Sequence, residues 1–447
     1  MGQLSESLAD LVCADWRGRI DATSREIMTT IVRTAFVDTA ACILAGRTEA
    51  PTQVTALWAH QRFVAATDSS VLFTQQRMKS AGAALINGVA GHALDYDGVA
   101  LAGHPSVVLM PALWAEYERL GTGGFDLVQG YAKGYGVWAE MARRHSTSLH
   151  EHGWHPTAVF GVVAAAAAVA GLRGLSKETT SHAIGIAASL SSGVIANFGS
   201  MTKPMHAGRA AEGGITAVEL ALAGLTSSPD ALEGPAGLLR ALSGGHPVNL
   251  AGPCAGDTAS TLLRVRPGIK KYPVCYAAHR IADGVLDLAH ANELRPADVA
   301  AVDATLSETT AGVLRHHSPK TVDEARFSIE FIVAAAITHG RLGPTEVSAP
   351  TMAEPDVRKL MRHVRMHTVQ SSCPIEPSFA LHDRVTITLA NGVVLDSGDI
   401  RFARGHAQLP LSEAQLREKL FACAGPGERD LAEDILKRID HALEQPT

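Results

Sequence analysis

At 447 residues the chain is too long for one compact core, and about 100–200 residues per domain predicts two or three folding units. Hydrophobic residues make up 46% of the sequence and charged residues 19%, which provides for a large core and excludes disorder over long stretches. The net charge of -6 argues against nucleic acid as the main partner, because neutralising phosphates requires a basic surface.

No membrane span is predicted, because the longest apolar run, residues 158–172, is shorter than the ~20 residues that a bilayer requires. Glu6 and Asp10 precede any apolar run, so the N-terminus lacks the layout of a signal peptide. The six cysteines are scattered without paired spacing, which indicates free thiols in a reducing cytoplasm.

The first half of the chain is helical by pattern. Several of its Ala/Leu/Val-rich segments are apolar on nearly all sides, which places them inside a helical assembly. Gly174 ends one such pattern, and Ser176 is predicted to cap the next helix. The predicted helices are 24–46, 78–97, 106–120, 125–145, 157–172, 177–195 and 207–224.

The pattern changes near residue 255. Residues 301–307 alternate like a strand, and Asn391-Gly392 between two apolar alternations predicts a hairpin of 384–389 with 393–395. The fold class is therefore mainly α, with a large all-helical domain (1–257) and a smaller α+β domain (258–402). Further helices are predicted at 323–340, 356–367, 412–421 and 428–443.

One candidate site follows the second predicted helix. That helix ends near Asp95 and Asp97, and a His104-Pro105 turn opens the next helix. This order brings carboxylate and imidazole groups to one loop-rich edge, where they can transfer protons. The alternative is that both aspartates only cap or solvate helix ends.

Three histidines within six residues, His150, His152 and His155, raise a metal hypothesis. Their spacing does not fit the HExxH zinc helix, because only Glu151 separates the first two. We therefore predict no metal. His155-Pro156 is interpreted as a second His-Pro turn that aims an imidazole into a pocket.

A third cluster combines Lys203, Pro204 and His206 at the start of a helix. The free backbone N–H groups of a helix start attract anions, so this lysine is predicted to bind one. The alternative is a close-packed helix that needs small residues at positions 207, 208, 210, 211, 213 and 214. The two interpretations are compatible.

A fourth cluster, Lys270, Lys271, Tyr272 and Cys275, surrounds Pro273. Taken singly, Cys275 is typical of an inert buried thiol. No dinucleotide fingerprint, P-loop, GxSxG elbow or EF-hand accompanies these clusters. An inventory of His, Lys, Asp, Tyr and Cys without a cofactor motif suits proton transfer next to a carboxylate, with lysines holding the substrate.

At these four clusters, and at a fifth motif further along the chain, the sequence resembles the MmgE/PrpD family. The matching motifs, in order, are His92-Ala-Leu-Asp95-Tyr96-Asp97 with His104-Pro105-Ser106, Gly153-Trp-His155-Pro156, Thr202-Lys203-Pro204-Met205-His206-Ala-Gly208, Lys270-Lys271-Tyr272-Pro273 and Glu324-Ala325-Arg326-Phe327-Ser328. The resemblance implies a large helical domain that residues 403–447 rejoin, an α+β lid, no cofactor, and usually a homodimer. It also implies a site between the domains.

By the same resemblance, Asp95, His104, His155 and Lys203 line that site from the helical side, and Lys270 reaches in from the lid. The family includes 2-methylcitrate dehydratase, cis-aconitate decarboxylase and iminodisuccinate epimerase. The predicted catalytic residues are His104, Asp95, His155, Tyr272 and Cys275, and the predicted substrate-binding residues are Lys203, His206, Lys270 and Lys271.

Three departures from the family pattern bear on the reaction. Asp97-Gly98-Val99 stands where many members have Asp-Asp-Thr, and Cys275 stands where the decarboxylase-like pattern has a histidine. The lid tyrosine of the decarboxylases has no clear match near His316 and His317. These departures do not affect the step that the family shares, which is proton transfer at the carbon α to a carboxylate.

We therefore predict a cofactor-independent enzyme that moves a proton in a small polycarboxylate, with epimerisation of the iminodisuccinate epimerase type as the first choice. A tricarboxylate dehydratase or decarboxylase is the alternative within this family. A non-catalytic helical scaffold is the alternative from another class, and a site cleft without convergent His and Lys side chains would favour it.

Overall fold

Helices form most of the chain, which confirms the mainly α fold class. The computed structural model describes residues 3–63, 68–254, 258–375 and 379–445. One compact unit comprises Met1–Ala93, Asp97–Gly268 and Leu416–Thr447, and a second comprises Leu94–Tyr96 and Ile269–Gln415. The unit boundaries at 268 and 415 lie later in the chain than the predicted ones at 257 and 402.

Eleven α-helices precede residue 269 in the described chain. They are α1 (Gln3–Cys13), α2 (Ala22–Gly46), α3 (Ala50–Arg62), α4 (Ser80–His92), α5 (Pro105–Leu120), α6 (Phe125–Arg144), α7 (Pro156–Leu172), α8 (Lys177–Leu190), α9 (Thr202–Leu222), α10 (Leu238–Leu242) and α11 (Thr258–Arg264). The two-residue strands β1 (Ser69–Ser70) and β2 (Arg77–Met78) pair between α3 and α4.

The second unit surrounds a four-stranded sheet. Its strands are β3 (Val299–Ser307), β4 (Val364–Val369), β5 (Arg384–Leu389) and β6 (Val394–Asp396), in the order β4-β3-β5-β6. Only the β3–β4 pair is parallel, and the predicted hairpin is the antiparallel pair β5–β6. The helices are α12 (His279–Ala291), α13 (Glu308–Val313), α14 (Val322–Ala325), α15 (Ile329–His339), α16 (Ala349–Ala353) and α17 (Pro355–Met361).

Two segments of this unit differ from the prediction. The predicted helix 356–367 ends at Met361, and its last residues enter β4, where they pair with β3. Ladder hydrogen bonds from a neighbouring strand outweigh the local helical pattern there. The predicted helix 323–340 is two helices, because the Ser328 side chain accepts a hydrogen bond from the Phe331 N–H and starts α15 afresh.

The chain ends in α18 (Glu413–Ala424) and α19 (Arg429–Glu444). Helix α19 packs against α2 and α6 of the first unit, and Arg33 of α2 pairs with Asp440 at 2.7 Å. The guanidinium of Arg47, which follows α2, donates to the carbonyl groups of Cys423 and Ala424 at the end of α18. The C-terminal helices therefore belong to the helical unit.

Helix α7 is the central element of the first unit. Its sequence is mostly Ala, Val and Gly, and every residue from Pro156 to Ala170 is buried. It packs against α5, α6, α8 and α9. Small side chains allow four helices to approach one axis closely, which explains why this segment is apolar on all sides.

Helix α2 has the length and hydropathy of a membrane span, and it is the one such helix in the described residues. Within its most apolar 18-residue window, 72% of the residues are buried inside the protein. Packing within the helical unit therefore accounts for its apolar character.

Glycines bring α4 and α9 into direct backbone contact. A Cβ on Gly88 would lie 2.7 Å from the Gly208 Cα, and a Cβ on Gly208 would lie 2.3 Å from the Leu85 carbonyl oxygen. On the same helix, a Cβ on Gly214 would lie 2.4 Å from that of Ala165. The close packing of α9 thus explains why residues 207–214 are mostly small.

We expect Gly208→Ala to destabilise the helical unit by about 1–3 kcal/mol or more, because the added methyl group meets backbone atoms that cannot turn aside. Gly312→Ala is the matched control, since a Cβ on this helical glycine would have no other atom within 4 Å. Helix propensity favours alanine there by up to ~1 kcal/mol. Denaturation monitored by circular dichroism measures the free energy of unfolding of both variants. Equal changes in the two would contradict close packing at Gly208.

Candidate active site

The loop between α4 and α5 has a constrained backbone. Helix α4 ends at His92, five residues before the predicted end, and α5 starts at Pro105. Asp95, Leu101 and Ala102 have φ angles of 52°, 50° and 58°, and these are three of the four non-glycine residues with positive φ in the described chain. Such left-handed residues are costly and persist where the surrounding structure fixes them. The loop is therefore held in one shape.

The Asp97 carboxylate bridges two neighbouring imidazole rings, whose centroids are 4.7 Å apart. Its Oδ1 is 2.9 Å from His92 Nδ1, and its Oδ2 is 2.9 Å from His104 Nδ1. Burial opposes ionisation, but the two histidines hold the pKa of Asp97 well below its ordinary value. An ionised Asp97 accepts an N–H from each Nδ1, which fixes the ring orientations and leaves each Nε2 facing away from the carboxylate.

His92 is the buried member of this group. Burial lowers its pKa, so the ring is neutral near pH 7. Its Nε2 is buried and has no hydrogen-bond partner among the described residues. His104 differs, because 13% of its side chain is exposed.

Two more histidines complete the cluster. The His155 ring stacks on that of His92 with centroids 5.7 Å apart, and its Nδ1 is 3.1 Å from His206 Nδ1. Burial, then the neighbouring His92 and Lys203, lower the pKa of His155 well below its ordinary value. The same causes lower the pKa of His206 to about 4. Both rings are therefore neutral, and one donates its Nδ1–H to the other.

Three helix N-termini converge on this cluster. His104 is the N-cap of α5, His155 is the N-cap of α7, and each is followed by a proline at the first helical position. Helix α9 begins at Thr202, five residues before the predicted start, so Lys203 and His206 occupy its first turns. Helix N-termini carry partial positive charge, so the cluster is built to attract anions.

Lys203 supplies a full positive charge to the same place. Its Nζ lies 5.2 Å from the centre of the Phe198 ring, and the same ring makes edge contact with His155 at 4.8 Å. The lysine also lowers the pKa of His150, after burial and the neighbouring His104. The predicted residues His104, His155, Lys203 and His206 are thus brought together by the helical unit.

The three histidines of 150–155 do not converge on one point. His152 Nε2 lies 2.7 Å from Thr147 Oγ1, and its ring packs on His246, whereas His150 and His155 have ring centroids 6.4 Å apart. His92, Asp97 and His104 have the side chains to hold a metal ion, and their ligand atoms lie close together. Ligands of a tetrahedral zinc lie about 3.3 Å apart, so the 2.9 Å spacings fit hydrogen bonds better.

In the second unit, Lys270 is paired with Asp95. The Lys270 Nζ lies 3.2 Å from Asp95 Oδ2 and donates a hydrogen bond to the Asp95 carbonyl oxygen. The lysine is almost fully buried. This contact holds the left-handed turn at Asp95 in place. The substrate-binding role of Lys270 and the catalytic role of Asp95 stay predictions.

The other predicted residues of this unit occupy its interior or margin. The Tyr272 hydroxyl donates to Asp283 Oδ1 at 2.6 Å, and burial together with Asp283 raises the pKa of this tyrosine. Cys275 is buried, and its N–H donates to the Arg326 carbonyl oxygen. The Lys271 Nζ lies 5.5 Å from the centre of the Tyr272 ring. The assigned roles of Tyr272, Cys275 and Lys271 stay predictions.

The site predicted from the sequence lacks three residues that the structure brings to it. Asp97 and His92 belong to the same motif as Asp95, but periodicity does not show which aspartate faces the histidines. The spacing of His150 suggests only a metal ligand. No local pattern in the sequence signals the φ angle of 52° at Asp95, on which the directions of the neighbouring side chains depend.

The chain belongs to the MmgE/PrpD family. Residues 8–251 match the MmgE/PrpD N-terminal domain, and residues 272–445 match the MmgE/PrpD C-terminal domain. The chain is 27% identical to a cis-aconitate decarboxylase of Mus musculus, over 81% of this chain and 76% of the relative. It is 28% identical to that of Homo sapiens, over 78% and 73%. A cis-aconitate decarboxylase of Aspergillus terreus matches over a shorter stretch, 29% of this chain and 28% of the relative, with 29% identity.

These relatives favour the lyase alternative over our first choice. The prediction of the family is confirmed, whereas epimerisation has no support from the relatives.

We expect acid to destabilise the folded protein between about pH 6.5 and 4. The buried His92, His155 and His206 and the half-buried His150 have lowered pKa values, about 4 for His206, whereas an unfolded histidine titrates near 6.5. The unfolded state therefore binds more protons in this window, and stability falls as pH falls, by at most about 1.4 kcal/mol per pH unit per histidine.

Urea denaturation at several pH values measures this slope. His206→Gln is expected to make it shallower, and replacing the exposed His441 by Gln is the matched control. A slope that is the same in both variants would contradict the assignment of His206 as a buried neutral group.

Proposed function

We propose that this protein is a lyase that decarboxylates a small unsaturated tricarboxylate of the cis-aconitate type. The observation that supports it most is the convergence of three helix N-termini and Lys203 on the imidazoles held by Asp97. A polyanionic substrate and a proton donor are what such a reaction requires, and the relatives named as decarboxylases agree with it.

The binding step uses charge. The neutral state of His92, His155 and His206 leaves Lys203 as the charged group among them, and the helix N-termini add their partial positive charges. Carboxylates bound there accept hydrogen bonds from backbone N–H groups and from the Lys203 ammonium.

The chemical step needs one proton. One carboxylate leaves as CO2, and the electron pair of the broken C–C bond forms a new C=C bond. The electrons of the original double bond take a proton at the carbon α to a second carboxylate. We assign this proton to His104 Nε2, because Asp97 holds the opposite nitrogen of that ring as an N–H donor. The exposed edge of His104 then recovers a proton from solvent.

Incubation with cis-aconitate in D2O, after treatment with a chelator, tests the proposal. We expect CO2 release and a product with one fewer carboxylate that carries one deuterium at the newly saturated carbon, as read by NMR. His104→Gln is expected to lower kcat by roughly 10²–10⁴-fold without lowering the melting temperature. The His441→Gln variant controls for the loss of a histidine.

Three results would contradict this reaction. A hydrated product without CO2 would indicate a dehydratase, and deuterium exchange into unreacted substrate would indicate an epimerase-type enzyme. Activity that returns only with added Zn²⁺ or Fe²⁺ would place a metal among His92, Asp97 and His104.

We also expect Lys203→Met to lower kcat/KM at least about tenfold. A charge-assisted contact to a carboxylate is worth roughly 1.5–3 kcal/mol, and about 1.36 kcal/mol corresponds to a factor of ten. Lys177→Met is the matched control, because Lys177 pairs with Asp10 at 2.7 Å on the surface of the same unit. Equal kcat/KM values in the two variants would remove Lys203 from the binding site.

A further inference from the structure

A buried ion pair joins the C-terminal helix α18 to α2. The Lys419 Nζ lies 2.6 Å from Asp38 Oδ1, with 3% and 0% of the two side chains exposed. Burial raises the pKa of Asp38, and the nearby Lys419 offsets only part of that rise. Burial alone would lower the pKa of Lys419, but the neighbouring groups, Asp38 foremost, outweigh it and raise the pKa of the lysine. The contact spans most of the sequence, so it forms only when the C-terminal segment docks on the helical unit.

The second oxygen of Asp38 holds the loop of the candidate site. Asp38 Oδ2 accepts a hydrogen bond from the Gly98 N–H at 3.0 Å. Gly98 is buried and directly follows Asp97, whose two oxygens contact His92 and His104. One continuous series of short contacts therefore runs from Lys419 through Asp38 and the loop backbone to His104.

Stability alone does not require this pair. Buried ion pairs are often replaced by apolar residues of similar volume without loss of stability, because desolvating two charges is costly. An apolar residue in place of Asp38 would, however, leave the Gly98 N–H without its hydrogen-bond acceptor. The loop at this point also carries the left-handed residues Leu101 and Ala102, so it depends on outside contacts for its shape.

We propose that Asp38 and Lys419 are positioning residues of the decarboxylation reaction. Asp38 fixes the Gly98 N–H, this fixes the Asp97 carboxylate, and Lys419 holds the other oxygen of Asp38 and so sets the direction of its side chain. The expected change in kcat rests on the proposed function. Its structural consequence, the orientation of the His104 ring, is independent of any substrate.

Two double variants separate positioning from folding. D38N/K419Q replaces the ion pair by a neutral hydrogen-bonded pair and keeps an oxygen for the Gly98 N–H. D38L/K419M is apolar, has a similar shape at position 38, and offers Gly98 no acceptor. We expect kcat with cis-aconitate to be at least tenfold higher in D38N/K419Q than in D38L/K419M, while KM differs by less than threefold.

The second measurement needs no turnover. The ¹⁵N resonances of the His104 ring, assigned by their loss in His104→Gln, report which nitrogen carries the proton. We expect D38N/K419Q to retain the wild-type Nδ1–H form, and D38L/K419M to show a mixture of ring states. If the wild-type protein turns over no polycarboxylate, the proposed function fails, and these resonances still decide the positioning role.

The proposal is overturned if D38L/K419M is folded and matches D38N/K419Q in both kcat and His104 resonances. If the leucine variant does not fold, D38V/K419M, with a smaller side chain at position 38, takes its place under the same criteria.

Discussion

The contact on which the site depends most is that of the buried Asp97 carboxylate with two imidazoles. A buried carboxylate is tolerable only with donors on its oxygens, and His92 and His104 provide them. One of these residues lies at the end of α4 and the other at the start of α5, yet their rings meet edge to face with centroids 4.7 Å apart. The unusual backbone between the two helices follows from that demand.

Much of this arrangement was predictable from the sequence. The His104-Pro105 and His155-Pro156 pairs mark helix starts, because proline is favoured at the first helical position and disfavours the helical conformation of the preceding residue. The early start of α9 was not predictable from periodicity, since Pro204 normally breaks a helix and is tolerated only in its first turn. The role of Asp97 was also hidden, because a motif gives the order of side chains and not their directions.

Strand β4 is an element that the sequence pattern did not predict. Its first residues continue the apolar spacing of α17, and only the parallel partner β3, more than fifty residues earlier in the chain, makes them extended. The hairpin β5–β6 was predictable because its turn is local. The hairpin was predicted and β4 was not, because the hydrogen bonds of the hairpin join residues close in sequence, whereas those of β4 join residues far apart.

The contact between Gly88 and Gly208 has a consequence for how this protein can change. Because the backbones of α4 and α9 touch at Gly88 and Gly208, no side chain lies between them there whose size could change the distance between the helices. The separation of His92 from Lys203 and His206 is therefore fixed by main-chain atoms. A related protein with this contact can accommodate a longer or bulkier acid only by altering the connecting segments, so substrate range and helical framework are able to evolve separately.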